Sequence, residues 1–169
     1  MSKTIRAGIL SDTHLSRPNR DYLNAARQCF ADCEVIIHAG DLTDISVLDA
    51  FTGKTVYGVR GNCCGRTSCT ALPKERNFQL GNFTVGLMHG NRLGRYADTI
   101  ESGLWDAFPD ADCVIYGHTH EPVCRQVAGK LIINPGAFQI SSWHGTPASY
   151  AILEAGEELR GRIHEYRAR

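Results

Sequence analysis

The sequence lacks any apolar run approaching the ~20 residues needed to cross a bilayer, and no membrane span is expected. It also lacks an excess of either charge, because eighteen Lys and Arg are matched by eighteen Asp and Glu. That balance removes the diffuse electrostatic footprint with which a protein gathers nucleic acid or an anionic surface. A phosphate-bearing ligand must then be drawn locally, by a metal or by a few placed groups. There is no CxxC pair. The seven cysteines, Cys29, Cys33, Cys63, Cys64, Cys69, Cys113 and Cys124, are odd in number and scattered through apolar runs. They read as small buried hydrophobes in a reducing cytosol rather than as a disulfide or zinc framework. Met1-Ser2-Lys3-Thr4 runs into the apolar segment Ile5 to Leu10 with no long hydrophobic leader or cleavage site, so a cytoplasmic location is expected. Repeats, low-complexity stretches and linkers are missing too. A chain of 169 residues, 43% hydrophobic and 21% charged, is expected to form one domain, 1–169, with its own core. No heptad or spare apolar stripe points to an oligomeric state, which stays open.

What is present is an alternation of short apolar runs with helical spacing. Thr4–Leu10, Val35–His38 and Thr55–Val59 read as strands buried on both faces. Between them, Tyr22, Ala25, Ala26, Cys29 and Phe30 share one helical face, and Ile45, Leu48 and Phe51 another, with Thr43 or Asp44 as cap. This β-α-β-α-β order predicts a parallel sheet with right-handed crossovers. Asn77–Leu80 and Phe83–Met88 around Gly81-Asn82 predict a hairpin, and Tyr96–Phe108 predicts a helix. Cys113–Tyr116 is another strand. Pro122–Val127 with Lys130–Ile133, and Tyr150–Glu154 with Leu159–Tyr166, are two further hairpins. The expected fold class is α/β, with two packed mixed β-sheets flanked by helices.

The polar residues fall at the ends of these strands. Asp12-Thr13-His14 follows the first, Gly40-Asp41 the second and Gly61-Asn62 the third; His89-Gly90 follows Met88, and Gly117-His118-Thr119-His120 follows Cys113–Tyr116. Loops at the carboxyl ends of strands in an α/β sheet converge on one crevice, so ligands spread over a hundred positions can meet there. Two carboxylates, four imidazoles and one carboxamide form a nitrogen and oxygen set without thiolate, suited to manganese, iron, zinc or nickel rather than calcium. Seven ligands exceed one tetrahedral ion and fit two ions sharing a carboxylate, a clamp for in-line phosphoryl displacement. Any one of these motifs alone is common in loops; the five in this order are specific. His38 precedes Gly40-Asp41 and reads as a supporting or packing residue. His144 and His164 lie outside every motif. Arg60, Asn91, Arg92 and Arg66 adjoin the motifs and are candidates for contact with a substrate phosphate.

The series Asp12-x-His14, Gly40-Asp41, Gly61-Asn62, His89-Gly90 and Gly117-His-Thr-His120 resembles the calcineurin-like metallophosphoesterase superfamily. The Gly61-Asn62-Cys63 form and Ile133-Asn134-Pro135-Gly136 resemble its small bacterial and archaeal phosphodiesterase branch. The resemblance implies that Asp12, His14 and His120 bind a first ion, that Asn62, His89 and His118 bind a second, and that Asp41 bridges them. A metal-bound hydroxide would attack a small phosphodiester or nucleotide-like substrate. Asp41, Asn62 and His89 would sit at the reacting centre, and Asn62 close to a phosphate oxygen.

Two positions depart from the pattern. Relatives that act on phosphoproteins carry histidine after the Gly-Asn pair, assigned to leaving-group protonation, where this chain has Cys63. The phosphodiesterase branch usually has aspartate next, where this chain has Cys64; Ala137 likewise stands where serine is usual. A site complete for making a nucleophile and under-equipped for protonation favours diesters with tolerable leaving groups. Protein phosphatase activity is further disfavoured by the missing Asp-Arg-Gly triplet after Gly40-Asp41. The competing expectation is a non-catalytic scaffold, since one eukaryotic retromer subunit has this fold with several ligand positions replaced.

Overall fold

The computed structural model describes residues 3–140 and 147–167. Among the described residues ten strands and three α-helices follow in order: β1 (Ile5–Leu10), α1 (Arg20–Phe30), β2 (Val35–His38), β3 (Thr55–Gly58), α2 (Arg66–Ala71), β4 (Glu75–Leu80), β5 (Phe83–Met88), α3 (Ala97–Ala107), β6 (Cys113–Ile115), β7 (Val123–Val127), β8 (Lys130–Asn134), β9 (Ala148–Ala155) and β10 (Leu159–Tyr166). They form two five-stranded sheets, ordered β10-β9-β1-β2-β3 and β4-β5-β6-β8-β7. β1, β2 and β3 run parallel, as do β5, β6 and β8, and antiparallel strands complete each sheet. The carboxyl ends of both parallel sets are the ends that carry the polar motifs.

Each sheet is buried on both faces, which is why its central strands are continuous apolar runs. Between the sheets, Ala7, Ile9, Val35 and Ile37 meet Val85, Leu87, Ile115 and Ile133. Outside the first sheet, Leu10, Ile36 and Ile152 pack on Tyr22, Ala26 and Phe30 of α1. Outside the second, Val114 and Ile132 pack on Ile100 and Leu104 of α3 and on Phe108 just beyond it. The result is four layers, helix, sheet, sheet, helix. A side chain as fully buried as Phe30 stabilises the fold by roughly 1.5–3 kcal/mol. Small residues set the close approach of helix to sheet: a Cβ on Gly8 would lie 2.3 Å from the Phe30 ring, and one on Gly86 would lie 2.4 Å from Phe108.

Three local expectations are revised. The segment before β3 is a 3-10 helix, Ile45–Phe51, capped by the Asp44 side chain on Ser46 N–H. Its end bonds, Val47 N to Asp44 O and Thr52 N to Asp49 O, span three residues, the tighter turn favoured in short pieces. Arg66, read as a loop residue, opens α2, a six-residue helix whose start at Gly65 has no side-chain cap and whose sequence has no apolar period. The strand after α3 ends at Ile115; Tyr116 gives the ladder its last bond, N–H to Ile133 O, and turns its hydroxyl to Glu101.

Candidate metal centre

The first sheet delivers Asp12, His14 and Asp41 from the loops after β1 and β2, and the second delivers His89, His118 and His120 from those after β5 and β6. The two rims are stitched together: His118 N–H donates to Asp12 Oδ2 at 3.0 Å, and His89 Nδ1 lies 2.8 Å from Ala39 O. A carbonyl only accepts, so Nδ1 carries the proton and Nε2 is left facing the centre. Ser11 Oγ also donates to Asp12 Oδ2, at 2.6 Å. Asp12 Oδ1 is then free, 3.2 Å from His120 Nε2, 3.8 Å from His14 Nε2 and 3.9 Å from His89 Nε2. Asp41 Oδ2 lies 3.1 Å from His89 Nε2 and 3.9 Å from His14 Nε2, while Cys63 N–H fixes its Oδ1 at 2.7 Å.

These atoms fit a cation. Asp12 Oδ1 and His89 Nε2 are buried without any hydrogen-bond partner, an arrangement that costs a native fold unless something else satisfies it. Three overlapping groups place their ligand atoms within 4.8 Å of one another: Asp12, His14 and His120; Asp12, Asp41 and His89; His14, Asp41 and Cys63. Burial is graded across the centre. Asp12, Asp41 and His89 are at most 2% exposed, whereas the His14 and His120 side chains are 29% and 45% exposed. The floor is closed and the mouth is open.

Backbone conformation marks the same residues. Asp12, His14, Asp41, His118 and His120 all have φ between 50° and 70°, a left-handed region costly for residues with a Cβ. The other non-glycine residue there, Ala128, sits in the β7–β8 turn. Strain of this kind clusters where a site demands it.

Charge follows from packing. Burial works to raise Asp41, but His89, the Cys63 N–H and His14 outweigh it and hold its carboxyl at about 2. Burial likewise opposes ionisation of Asp12, and His120, His89 and Ser11 prevail to lower it. The Asp12 carboxylate close beside it raises His120, and Asp41 and Asp12 raise His89 against the effect of its burial. Both carboxylates are ionised at neutral pH, and acid pH sets protons in competition with a cation for the imidazoles.

Asn62 and His118 stand at the edge. The His118 ring meets His89 edge-on at 5.2 Å between centroids, and His118 belongs to none of the three groups among the described residues. Asn62 is exposed, and its Nδ2 donates to Cys63 Sγ at 3.2 Å. Arg60 and Asn91 line a cleft that opens beside His89 and Gly61. His38 is fully buried; its Nδ1 accepts from Gly40 N–H at 3.2 Å, so Nε2 carries the proton toward Thr13 Oγ1 at 3.3 Å. It braces the loop. His164 stacks on Tyr150 in β10, and His144 lies outside the described residues.

Burial pushes His38 from its ordinary 6.5 down to about 4. The fold therefore holds it neutral, and stability that is complete above pH 6.5 should be lost as pH falls toward 4, by roughly 3 kcal/mol. Urea midpoints at pH 7 and 4.5 should separate less in His38→Gln than in the wild type; equal separations would remove His38 as the cause.

The parts that three residues play here were not read from the sequence. Ser11 is signalled only by its place before Asp12. Asn134 ties down the last motif, with Nδ2 donating to Gly117 O and Thr119 Oγ1, both at 3.0 Å, and its signal is the Ile133–Gly136 run. Cys63, considered only as a missing acid, adds its thiol to a group with His14 and Asp41. Cys64 Sγ accepts Gly61 N–H at 3.2 Å, a turn bond that a carboxylate makes more strongly. Cys64→Asp should thus keep or raise turnover, and a fall below about a tenth of wild type would assign the thiol a role of its own.

Comparison with known proteins agrees with the geometry. Residues 5–158 match the calcineurin-like phosphoesterase superfamily domain. The chain is 36% identical over 158 residues to a probable metallophosphoesterase of Methanothermobacter thermautotrophicus, covering 92% of this chain and 90% of that protein. It is 31% identical over 147 residues to a phosphodiesterase of Methanocaldococcus jannaschii, covering 78% and 83%. Among solved structures, a predicted phosphoesterase of Streptococcus pneumoniae superposes with TM-score 0.73 at 17% identity, over 98% of this chain and 91% of that one. Vacuolar protein sorting 29 of Cryptosporidium parvum superposes with TM-score 0.69 at 18% identity, over 98% and 99%. With the matched region taking in every described strand but β10 and every strand-end motif, this chain belongs to the calcineurin-like phosphoesterase superfamily.

Proposed function

We propose that the protein is a cytoplasmic, single-domain phosphodiesterase that works with two divalent ions, manganese foremost, with iron, zinc or nickel able to take its place. The observation that carries this reading is the pair of buried, unpartnered atoms, Asp12 Oδ1 and His89 Nε2, facing further imidazole and carboxylate atoms. Asp12, His14 and His120 would hold one ion, and Asn62, His89 and His118 the other, with Asp41 between them. Asn62 would join through Oδ1, which its Nδ2 bond to Cys63 Sγ leaves unused. When bound, the ions supply an activated water and neutralise the phosphoryl oxygens.

The chain supplies the rest. Ala39 O fixes the His89 tautomer, Ser11 and His118 N–H orient Asp12, and Cys63 N–H orients Asp41. Leaving-group protonation is the weak point. Burial and the charge of Asp41 push the Cys63 thiol up, so it keeps its proton at neutral pH where an imidazolium would surrender one. Diesters with acidic leaving groups suit such a site, and the relative from Methanocaldococcus jannaschii is named a phosphodiesterase.

A second reading is favoured by the fold shared with vacuolar protein sorting 29: a non-catalytic scaffold that retains ions. One assay separates the two. Metal-stripped protein is given manganese, nickel, zinc or magnesium and bis(p-nitrophenyl) phosphate or p-nitrophenyl phosphate. Metal-dependent turnover, faster on the diester, is expected; no turnover with any ion leaves the scaffold.

A further inference from the structure

The cleft beside the metal centre carries a charge that the reaction at the ions does not use. It measures about 240 Å³ and shares His89 and Gly61 with the centre. Its walls bring together Arg60, Lys74 and Arg92, with the Asn91 amide and a single carboxylate, Glu75. None of the three cations is in an ion pair among the described residues. In a chain of zero formal net charge, three unpaired cations around one concave surface are a local field, which low-dielectric walls concentrate.

One of the three cations, Arg60, is also held in place. Arg60 is half-buried, and its Nη1 donates to Cys69 O at 2.8 Å, leaving the rest of the guanidinium fork for a ligand. Its backbone N–H donates to Pro73 O at 2.9 Å, which fixes the end of β3 against the residue preceding Lys74. The cleft on the opposite flank has a different character. It measures about 380 Å³, runs past His120, and has Glu121 and Glu165 but neither lysine nor arginine among its lining residues. Glu165 is itself paired with Arg167, so of the two clefts only that of Arg60, Lys74 and Arg92 offers cations to an arm of a diester seated on the centre.

We propose that the cleft of Arg60, Lys74 and Arg92 binds a second phosphate, carried on one arm of the substrate. The preferred substrates are then phosphodiesters that also bear a phosphomonoester, rather than diesters with two neutral arms. Three cations and an amide offer more donors than the two oxygens of a carboxylate can use, and match the three oxygens of a terminal phosphate. This inference rests on the phosphodiesterase reading and narrows it.

The test uses two esters that differ by one group: thymidine 5′-(p-nitrophenyl phosphate), with and without a 3′-phosphate. Products are resolved by chromatography, so that cleavage on either side counts. The phosphate-bearing ester should be preferred at least ~tenfold in kcat/KM by the manganese-loaded protein, the worth of one charge-assisted contact. In Lys74→Ala and in Arg92→Ala that ratio should fall to within about threefold, through KM. A ratio near one in the wild type, or a ratio unchanged in both variants, overturns the second-phosphate site while leaving the phosphodiesterase reading intact. Turnover of neither ester overturns the phosphodiesterase reading instead. A metal-free arm then still decides the site: thymidine 3′,5′-bisphosphate should shift the backbone amide resonances of Lys74 and Arg92, and unmoved resonances overturn it.

Discussion

Asp41→Asn should abolish metal-dependent hydrolysis and lower metal affinity by more than the ~10–100-fold typical of losing an outer partner of a ligand. Asp41 divides the labour between its two oxygens, as Asp12 does, Oδ1 taking the Cys63 N–H and Oδ2 facing both His89 and His14. An amide keeps the size but loses the charge, and one of its two ends must now be a donor. If the NH2 end faces His89, it occupies the lone pair needed by an ion; if it faces Cys63, two N–H groups collide. The measurement is calorimetric titration with manganese alongside bis(p-nitrophenyl) phosphate turnover. Wild-type affinity in the variant would remove Asp41 from the bridging position.

The second large effect comes from a residue with no side chain. Gly61→Ala should lower turnover by about a hundredfold while the protein stays folded, since ångström-scale misplacement of reacting groups costs on that order. The added Cβ would lie 2.1 Å from Asp41 Oδ1 and 2.6 Å from His89 Cδ2. Neither neighbour can yield freely, because Cys63 N–H holds one and Ala39 O holds the other. Gly61 does not have a left-handed φ, so alanine suits its backbone and the damage is confined to the centre. Circular dichroism should be unchanged; full activity in Gly61→Ala would mean that the two side chains have room to move.

The architecture was legible because both sheets are covered on both faces. β1 and β2 read as apolar runs interrupted only by Arg6 and closed by His38, and α1 shows one face of Tyr22, Ala25, Ala26 and Phe30. α2 was not legible, as six residues without an apolar stripe or a capping side chain leave no period to read. Within the centre, Asp12, Asp41 and His89 could be named because strand-end loops in such sheets converge. The parts of Ser11 and Asn134 could not, because their value lies in hydrogen bonds to Asp12 and to the Gly117–Thr119 loop. Arg60 and Asn91 were picked out by adjacency to motifs, but Lys74 joins them only through the fold.

The left-handed backbone at Asp12, His14, Asp41, His118 and His120 has an evolutionary consequence. Each of these positions would be more comfortable as glycine, and the buried carboxylates would be more comfortable as neutral groups. Mutational drift at the centre therefore runs downhill in stability and uphill only in function. A lineage released from catalysis would be expected to lose its ligands early and keep its sheets, becoming a sturdier body with a vacant rim. In this chain all five of these strained positions carry a side chain able to ligate a cation.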